Sequence, residues 1–311
     1  MGLLAQNPLC GTVVQVRRLL ALLASVTVLA ACSGSPEPGE ASLVVESAPK
    51  RVLVLGNSIA RLIGIGVEAA LEQYGVETRN EADIELASWG EVSPLMDQKA
   101  EYKKLVREFD PDVVLITTVF EYPIMDCHAS SGDVGACQET ALRAANVFLA
   151  NDLIDVLSAG GAKVVWMRYP VAGDFYMARA DIAVRALDIL EEELKKIAEK
   201  DKRFATIYYD DVLHNVGEEF SLWFEKTDGY HQVRAFDGLH LCPYGTGLAA
   251  EYVARSIYPG WEDVDPSWRT GEWRKDDLFY LRTYKGTPQC SDGPQPEATP
   301  SPLVQPNGSM P

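Results

Sequence analysis

Histidine is scarce in this chain: His128, His214, His231 and His240 are the only four in 311 residues. No two of them stand at His-x-x-x-His spacing and no cysteines form Cys-x-x-Cys, so the sequence offers no metal site. It also lacks a Gly-x-Gly-x-x-Gly turn and a Gly-Lys-Ser/Thr loop, which leaves nucleotide binding without support. No cofactor is implied. Positive charge is in deficit as well. A formal net charge of −17 argues against nucleic acid or an anionic membrane surface as a partner. The apolar run Leu19–Leu29 falls well short of the roughly 20 residues that span a bilayer comfortably.

The amino-terminal residues 1–31 instead have the make-up of an export signal. Arg17 and Arg18 supply a positive region, and Leu19–Leu29 an apolar one. Leu29-Ala30-Ala31-Cys32 then resembles a bacterial lipoprotein lipobox, which implies cleavage before Cys32 and a diacylglyceryl group on its sulfur. The expected location is therefore extracytoplasmic, on the bacterial cell membrane through that anchor. Residues 32–49, rich in Ser, Pro, Gly and Glu, read as a flexible tether. With Cys10 discarded and Cys32 lipidated, Cys127, Cys137, Cys242 and Cys290 remain, an even count that favours two disulfides in an exported chain. The pairing of nearest neighbours, Cys127 with Cys137 and Cys242 with Cys290, is one of three arrangements.

From residue 50 onward, buried-type strands alternate with helices. Strands are expected at Val52–Leu55, Asp83–Ala87, Val113–Ile116, Lys163–Arg168 and Phe204–Tyr209. Helices are expected over Ile59–Tyr74, Met96–Phe109, Thr140–Ala159, Ala178–Lys200 and Gly245–Ile257. In the fourth of these, Glu191-Glu192-Glu193 faces Lys195 and Lys196 and reads as a solvated face. Such alternation predicts a three-layer α/β/α sandwich around a five-stranded parallel sheet of order 2-1-3-4-5, with the ligand site at the carboxyl ends of the strands. Residues 50–258 make up this domain. An aromatic extension, 259–290, is expected to pack on it, and 291–311 reads as a disordered tail.

Two short stretches carry the chemistry. Arg51–Ser58 is a buried-type strand whose Gly56-Asn57 turn presents Ser58 at the start of a helix, where orphan N–H groups can stabilise an oxyanion. The same tripeptide also suits a serine that merely caps the helix. Asp237-Gly238-Leu239-His240 places an acid three residues before an imidazole across a turn. The imidazole can take a serine proton while the carboxylate fixes its tautomer.

Gly-Asn-Ser after the first strand and Asp-x-x-His before the last helix together resemble the SGNH/GDSL hydrolase superfamily. The resemblance covers about residues 50–258. It implies the flavodoxin-like order given above, with Ser58 as nucleophile, His240 as general base and acid, and Asp237 as its orienting carboxylate. Two departures stand out. Asn57 replaces an aspartate, and Thr118-Val119-Phe120-Glu121 occupies the place of the block that supplies an oxyanion-hole asparagine. The Ser58 N–H and Gly90 are the donors left. Losing one such donor costs about 3–4 kcal/mol of transition-state stabilisation.

Phe120-Glu121 and Val233–His240 also resemble blocks of the exported SGNH domains associated with glycan O-acyltransferases, as Val164–Pro170 resembles their fourth strand. That likeness puts Glu121 beside the site. With the anchor expected on Cys32, it implies a serine esterase or O-acyltransferase acting on short acyl esters of cell-envelope glycans, for which a membrane acyltransferase is a candidate partner. The alternatives are a lipase- or thioesterase-like acyl hydrolase, for which residues 119–137 are rather polar, and a non-catalytic glycan-binding lipoprotein that retains the fold.

Overall fold

Four apolar residues in a row leave a strand no polar face to turn to water, so Val52–Leu55 must be covered on both sides. In the computed structural model of the chain they belong to β1 (Arg51–Gly56) of a five-stranded sheet. Its other strands are β2 (Glu77–Asn80), β3 (Val113–Thr117), β4 (Lys163–Met167) and β5 (Phe204–Ile207). The order is β2-β1-β3-β4-β5 and every pairing is parallel. The structure describes residues 41–82, 93–117, 153–168, 170, 180–215, 218, 220–262, 264–280, 283–284, 287–291 and 293–298.

The period-2 alternation of a strand divides the core in two. Val52, Val54, Val113, Leu115, Val165 and Met167 face one cluster, which is filled from helices α1 (Ser58–Glu72) and α5 (Pro243–Ile257). Leu53, Leu55, Val114, Ile116, Val164 and Trp166 face the other, closed by α2 (Ser93–Phe109), α3 (Leu153–Leu157) and α4 (Ala180–Lys200). This is the three-layer sandwich that the alternating pattern predicts. On the first face α1 and α5 lie close together. A Cβ added at Gly66 would sit 2.7 Å from the Ala250 methyl, so glycine there sets the spacing between the two helices.

Three details depart from the sequence-based expectation. The strand beside β1 is Glu77–Asn80, which is half-exposed and has no apolar run to announce it; the Asp83–Ala87 candidate lies outside the described residues. Glu191 does not belong to a solvated face: it is 7% exposed and paired with Arg168 at 3.4 Å. An antiparallel hairpin, β6 (Trp223–Lys226) and β7 (Gly229–Gln232), precedes the Asp237–His240 loop, and its short strands were not read from the sequence.

Both flanks of the sheet domain pack on it. Val44 and Val45 lie against the α1/α5 cluster, and the Val44 N–H donates to the Ser256 carbonyl at 2.9 Å. The packed structure thus begins before residue 50, since two valines find apolar cover there. Past α5, Trp268 is buried in the same cluster and Tyr74 stacks on Tyr258 at 4.2 Å between centroids. Cys242 and Cys290 form a disulfide that ties the far segment to the first turn of α5. Cys127 and Cys137 lie outside the described residues. Among the described residues no helix is long and apolar enough to cross a membrane.

Candidate active site

The turn after β1 shows why glycine and asparagine precede the serine. Gly56 has φ 123°, and a Cβ there would collide with the Thr117 carbonyl oxygen at 2.1 Å, so only glycine lets β1 end beside β3. Asn57 is the N-cap of α1: its Oδ1 accepts from the N–H groups of Ile59 at 3.0 Å and Ala60 at 3.4 Å. An aspartate could cap through the same oxygen, which accounts for the interchange at this position. The capping role therefore belongs to Asn57 and not to Ser58. Since Arg61 N–H bonds the Asn57 carbonyl, three of the first four helical N–H groups are satisfied. The fourth is that of Ser58, for which no protein acceptor stands among the described residues. Among the described residues nothing occupies it, and an anion placed there would also meet the positive end of the helix dipole.

The second stretch closes on the first across 182 positions of sequence. Ser58 Oγ lies 3.0 Å from His240 Nε2, and both residues are buried. His240 Nδ1 lies 2.7 Å from Asp237 Oδ2. A carboxylate can only accept, so Nδ1 carries the proton and Nε2 offers its lone pair to the serine hydroxyl. Asp237 Oδ1 meanwhile accepts from the N–H groups of Leu239 at 2.9 Å and His240 at 3.0 Å, which folds the loop back on itself. Burial pushes the Asp237 carboxyl up. The His240 side-chain hydrogen bond, the electrostatic attraction of its ring and the two backbone N–H groups outweigh burial and hold the carboxyl below its ordinary value of 3.8. It is thus ionised and able to orient the ring.

The loop is held by backbone hydrogen bonds within Val233–Cys242 and by two residues without a sequence signal, Gln232 and Gln289. The Ala235 N–H donates to the His240 carbonyl at 2.8 Å and the Cys242 N–H to the Val233 carbonyl at 3.0 Å, closing a narrow loop with Asp237 and Gly238 at its tip. Gln232 braces it by donating from Nε2 to the carbonyls of Arg234 at 2.9 Å and Gln289 at 2.7 Å. The Phe236 N–H also reaches the Gln289 carbonyl, at 3.3 Å. Cys242, two residues past the histidine, was the visible signal for this attachment. Gly90 and Glu121, the other residues expected at the site, lie outside the described residues. So does Cys32.

Among the described residues no group of three or more His, Cys, Asp or Glu is arranged to hold a metal ion. A cavity of about 440 Å³ opens at the opposite, amino edge of the sheet, between Val45, Arg51, Asp112, Lys163 and Lys202. Several of its polar groups are engaged with the protein. Asp112 accepts from the backbone N–H of Lys50 and Arg51, and Lys163 Nζ donates to the carbonyls of Lys202 and Phe204. Chemistry is concentrated at the carboxyl edge.

Fold and site together define a three-layer α/β protein whose serine, histidine and aspartate converge where β1 gives way to α1. The chain belongs to the family described as "Protein of unknown function (DUF459)", whose model matches residues 51–256. That match starts with β1 and ends in the last turn of α5, so it contains all three residues but not Cys290. No curated protein matches the chain.

Among solved structures, the chain is similar to a family 3 carbohydrate esterase from Clostridium thermocellum, with 11% identity over 68% of this chain and 95% of that one and a TM-score of 0.42. It is similar to a lipase/acylhydrolase from Enterococcus faecalis, with 15% identity over 66% and 94% of the two chains and a TM-score of 0.38. It is similar also to the lipase Lip_vut3 from a goat rumen metagenome, with 15% identity over 67% and 98% and a TM-score of 0.46.

Proposed function

We propose that the protein is an SGNH-type serine esterase or O-acyltransferase, anchored outside the cytoplasm by lipid on Cys32 and acting on short acyl esters of cell-envelope glycans. The observation that carries the chemistry is the hydrogen-bonded run from Ser58 Oγ through His240 to Asp237, at 3.0 and 2.7 Å.

In the first half-reaction Ser58 Oγ bonds to the acyl carbon as its proton passes to His240 Nε2. Negative charge gathers on the carbonyl oxygen beside the Ser58 N–H and the amino end of α1. His240 then returns the proton to the departing alcohol oxygen as the ester C–O bond breaks. In the second half, water or a sugar hydroxyl attacks the acyl-enzyme, gives its proton to Nε2, and Ser58 leaves with that proton. Asp237 stays ionised throughout, stabilising the imidazolium. The glycan, the acyl group's size and a membrane acyltransferase partner follow from the sequence resemblance of Phe120-Glu121 and Val233–His240.

Labelling of the exported protein with a fluorophosphonate tests the chemistry, with Ser58→Ala as control. Ser58-dependent labelling and p-nitrophenyl acetate turnover are expected, and the absence of both sinks the enzyme reading. Acetate release from envelope glycans, with and without an acceptor sugar, then separates hydrolysis from transfer. For the anchor, Cys32→Ala should move the protein from the membrane fraction to the soluble one. An unchanged distribution contradicts the lipid attachment.

A further inference from the structure

A fully buried guanidinium sits inside the loop that carries the histidine. Arg234 is 0% exposed, and its Nη1 donates to the Leu239 carbonyl at 3.3 Å. That carbonyl and the His240 N–H are the two polar ends of one rigid peptide plane. The other end is held by Asp237 Oδ1 at 3.0 Å, and the His240 carbonyl beyond it is held by the Ala235 N–H. Every backbone direction that sets the His240 Cα–Cβ bond is therefore fixed, two of them by charged side chains.

Arg234 is itself anchored outside the loop. Its Nη2 lies 3.9 Å from Asp210 Oδ1, and its guanidinium carbon 5.7 Å from the centre of the Phe220 ring. Asp210, which follows β5, faces Arg168 Nε at 3.3 Å, and Arg168 follows β4 and pairs in turn with Asp188 and Glu191. The chain of charges ties the loop to the carboxyl ends of two central-sheet strands. A buried arginine is costly unless such partners are met, and a fork of donors can serve a carbonyl and a carboxylate at once where a lysine ammonium serves them poorly.

We infer that Arg234 is a positioning residue for the His240 imidazole, its guanidinium clamping the Leu239–His240 peptide from the carbonyl side while Asp237 clamps it from the amide side. This rests on the proposed esterase reading for its kinetic consequence, though not for its geometry. Misplacing a catalytic base by about 1 Å costs about 100-fold in rate.

The test measures kcat and KM for p-nitrophenyl acetate, per fluorophosphonate-titrated site, in wild type, Arg234→Met and Arg234→Lys. Arg234→Met should lower kcat about 100-fold with KM within about twofold, and Arg234→Lys should recover part of it. A purely structural role would lower the number of titratable sites and leave kcat per site unchanged, which overturns the inference. Should Arg234→Met fail to fold, Arg234→Lys with wild-type kcat and KM overturns it equally. The low-field proton resonance of the His240 Nδ1–H, followed in ¹⁵N-histidine protein, gives a readout independent of turnover. Its displacement in the folded variant supports the clamp even if the wild type proves inactive, in which case only the esterase reading fails. An unmoved resonance refutes the clamp.

Discussion

Replacing both Cys242 and Cys290 by serine should cost this protein more than its melting temperature. The disulfide closes a loop of 48 residues, from the N-cap of α5 to the segment that braces the histidine loop. By the chain-entropy relation, releasing a loop of that length costs about 4 kcal/mol of folded stability. For a domain of this size each kcal/mol moves the midpoint by about 2–4 °C, so the double variant should melt about 8–16 °C lower. A second effect follows from what Cys290 holds in place. The neighbouring Gln289 carbonyl accepts from Phe236 N–H and Gln232 Nε2, and Ser291 N–H donates to Gln232 Oε1 at 2.8 Å. Freed of the disulfide, this segment can leave the loop, and Asp237 and His240 lose their outer support. Turnover of p-nitrophenyl acetate should then fall at temperatures where the variant remains folded by circular dichroism. The double variant is preferred to a reductant because it alters this one disulfide alone. A midpoint within about 3 °C of wild type, with full turnover, would refute the bracing argument.

Asp237→Asn should lower kcat about 10⁴-fold by favouring the wrong imidazole tautomer, yet leave the fold intact because an amide oxygen can still accept from Leu239 and His240; a loss below tenfold in p-nitrophenyl acetate turnover would count against the orienting role of Asp237. Burial, opposed in part by Arg168 and Lys195, raises Glu191 from 4.5 to about 7, so the folded state holds that proton more tightly than the unfolded one. Its contribution to stability therefore falls as pH rises from about 4.5 to about 7, by about 3 kcal/mol, and Glu191→Gln should flatten the pH dependence of urea midpoints over that window. An equal slope in wild type and variant would contradict it. Gly66→Val should push α1 away from α5 at the Ala250 methyl and cost about 1–3 kcal/mol in the same urea assay. An unchanged midpoint would show that the helices can part freely.

Legibility followed the nature of each signal. The five-stranded order was readable because the buried strands are continuous apolar runs and the helices between them are periodic. β2 escaped because Glu77-Thr78-Arg79-Asn80 is an edge strand whose pairing is made by backbone alone. Ser58, Asp237 and His240 were readable from two local motifs, since each motif encodes its own turn: Gly56 by steric necessity, Asp237 by accepting from the N–H groups two and three residues on. The brace was not. Gln232 and Gln289 act through contacts made at long range, and nothing in their spacing distinguishes them from surface residues, while Arg234 stood in a resembling block that did not reveal its burial. Glu191 misled for the same reason, because helix periodicity says which residues share a face but not whether an arginine from a neighbouring strand lies over one of them.

The Val44–Ser256 hydrogen bond has a directional consequence. Ser256 is in the last turn of α5, a helix that starts beside the histidine loop and runs about 20 Å to the other pole of the sheet. The chain thus joins the sheet domain at the pole opposite Ser58. A change at the Val44 junction would therefore loosen the far end of α5 and act on the serine only through the length of that helix.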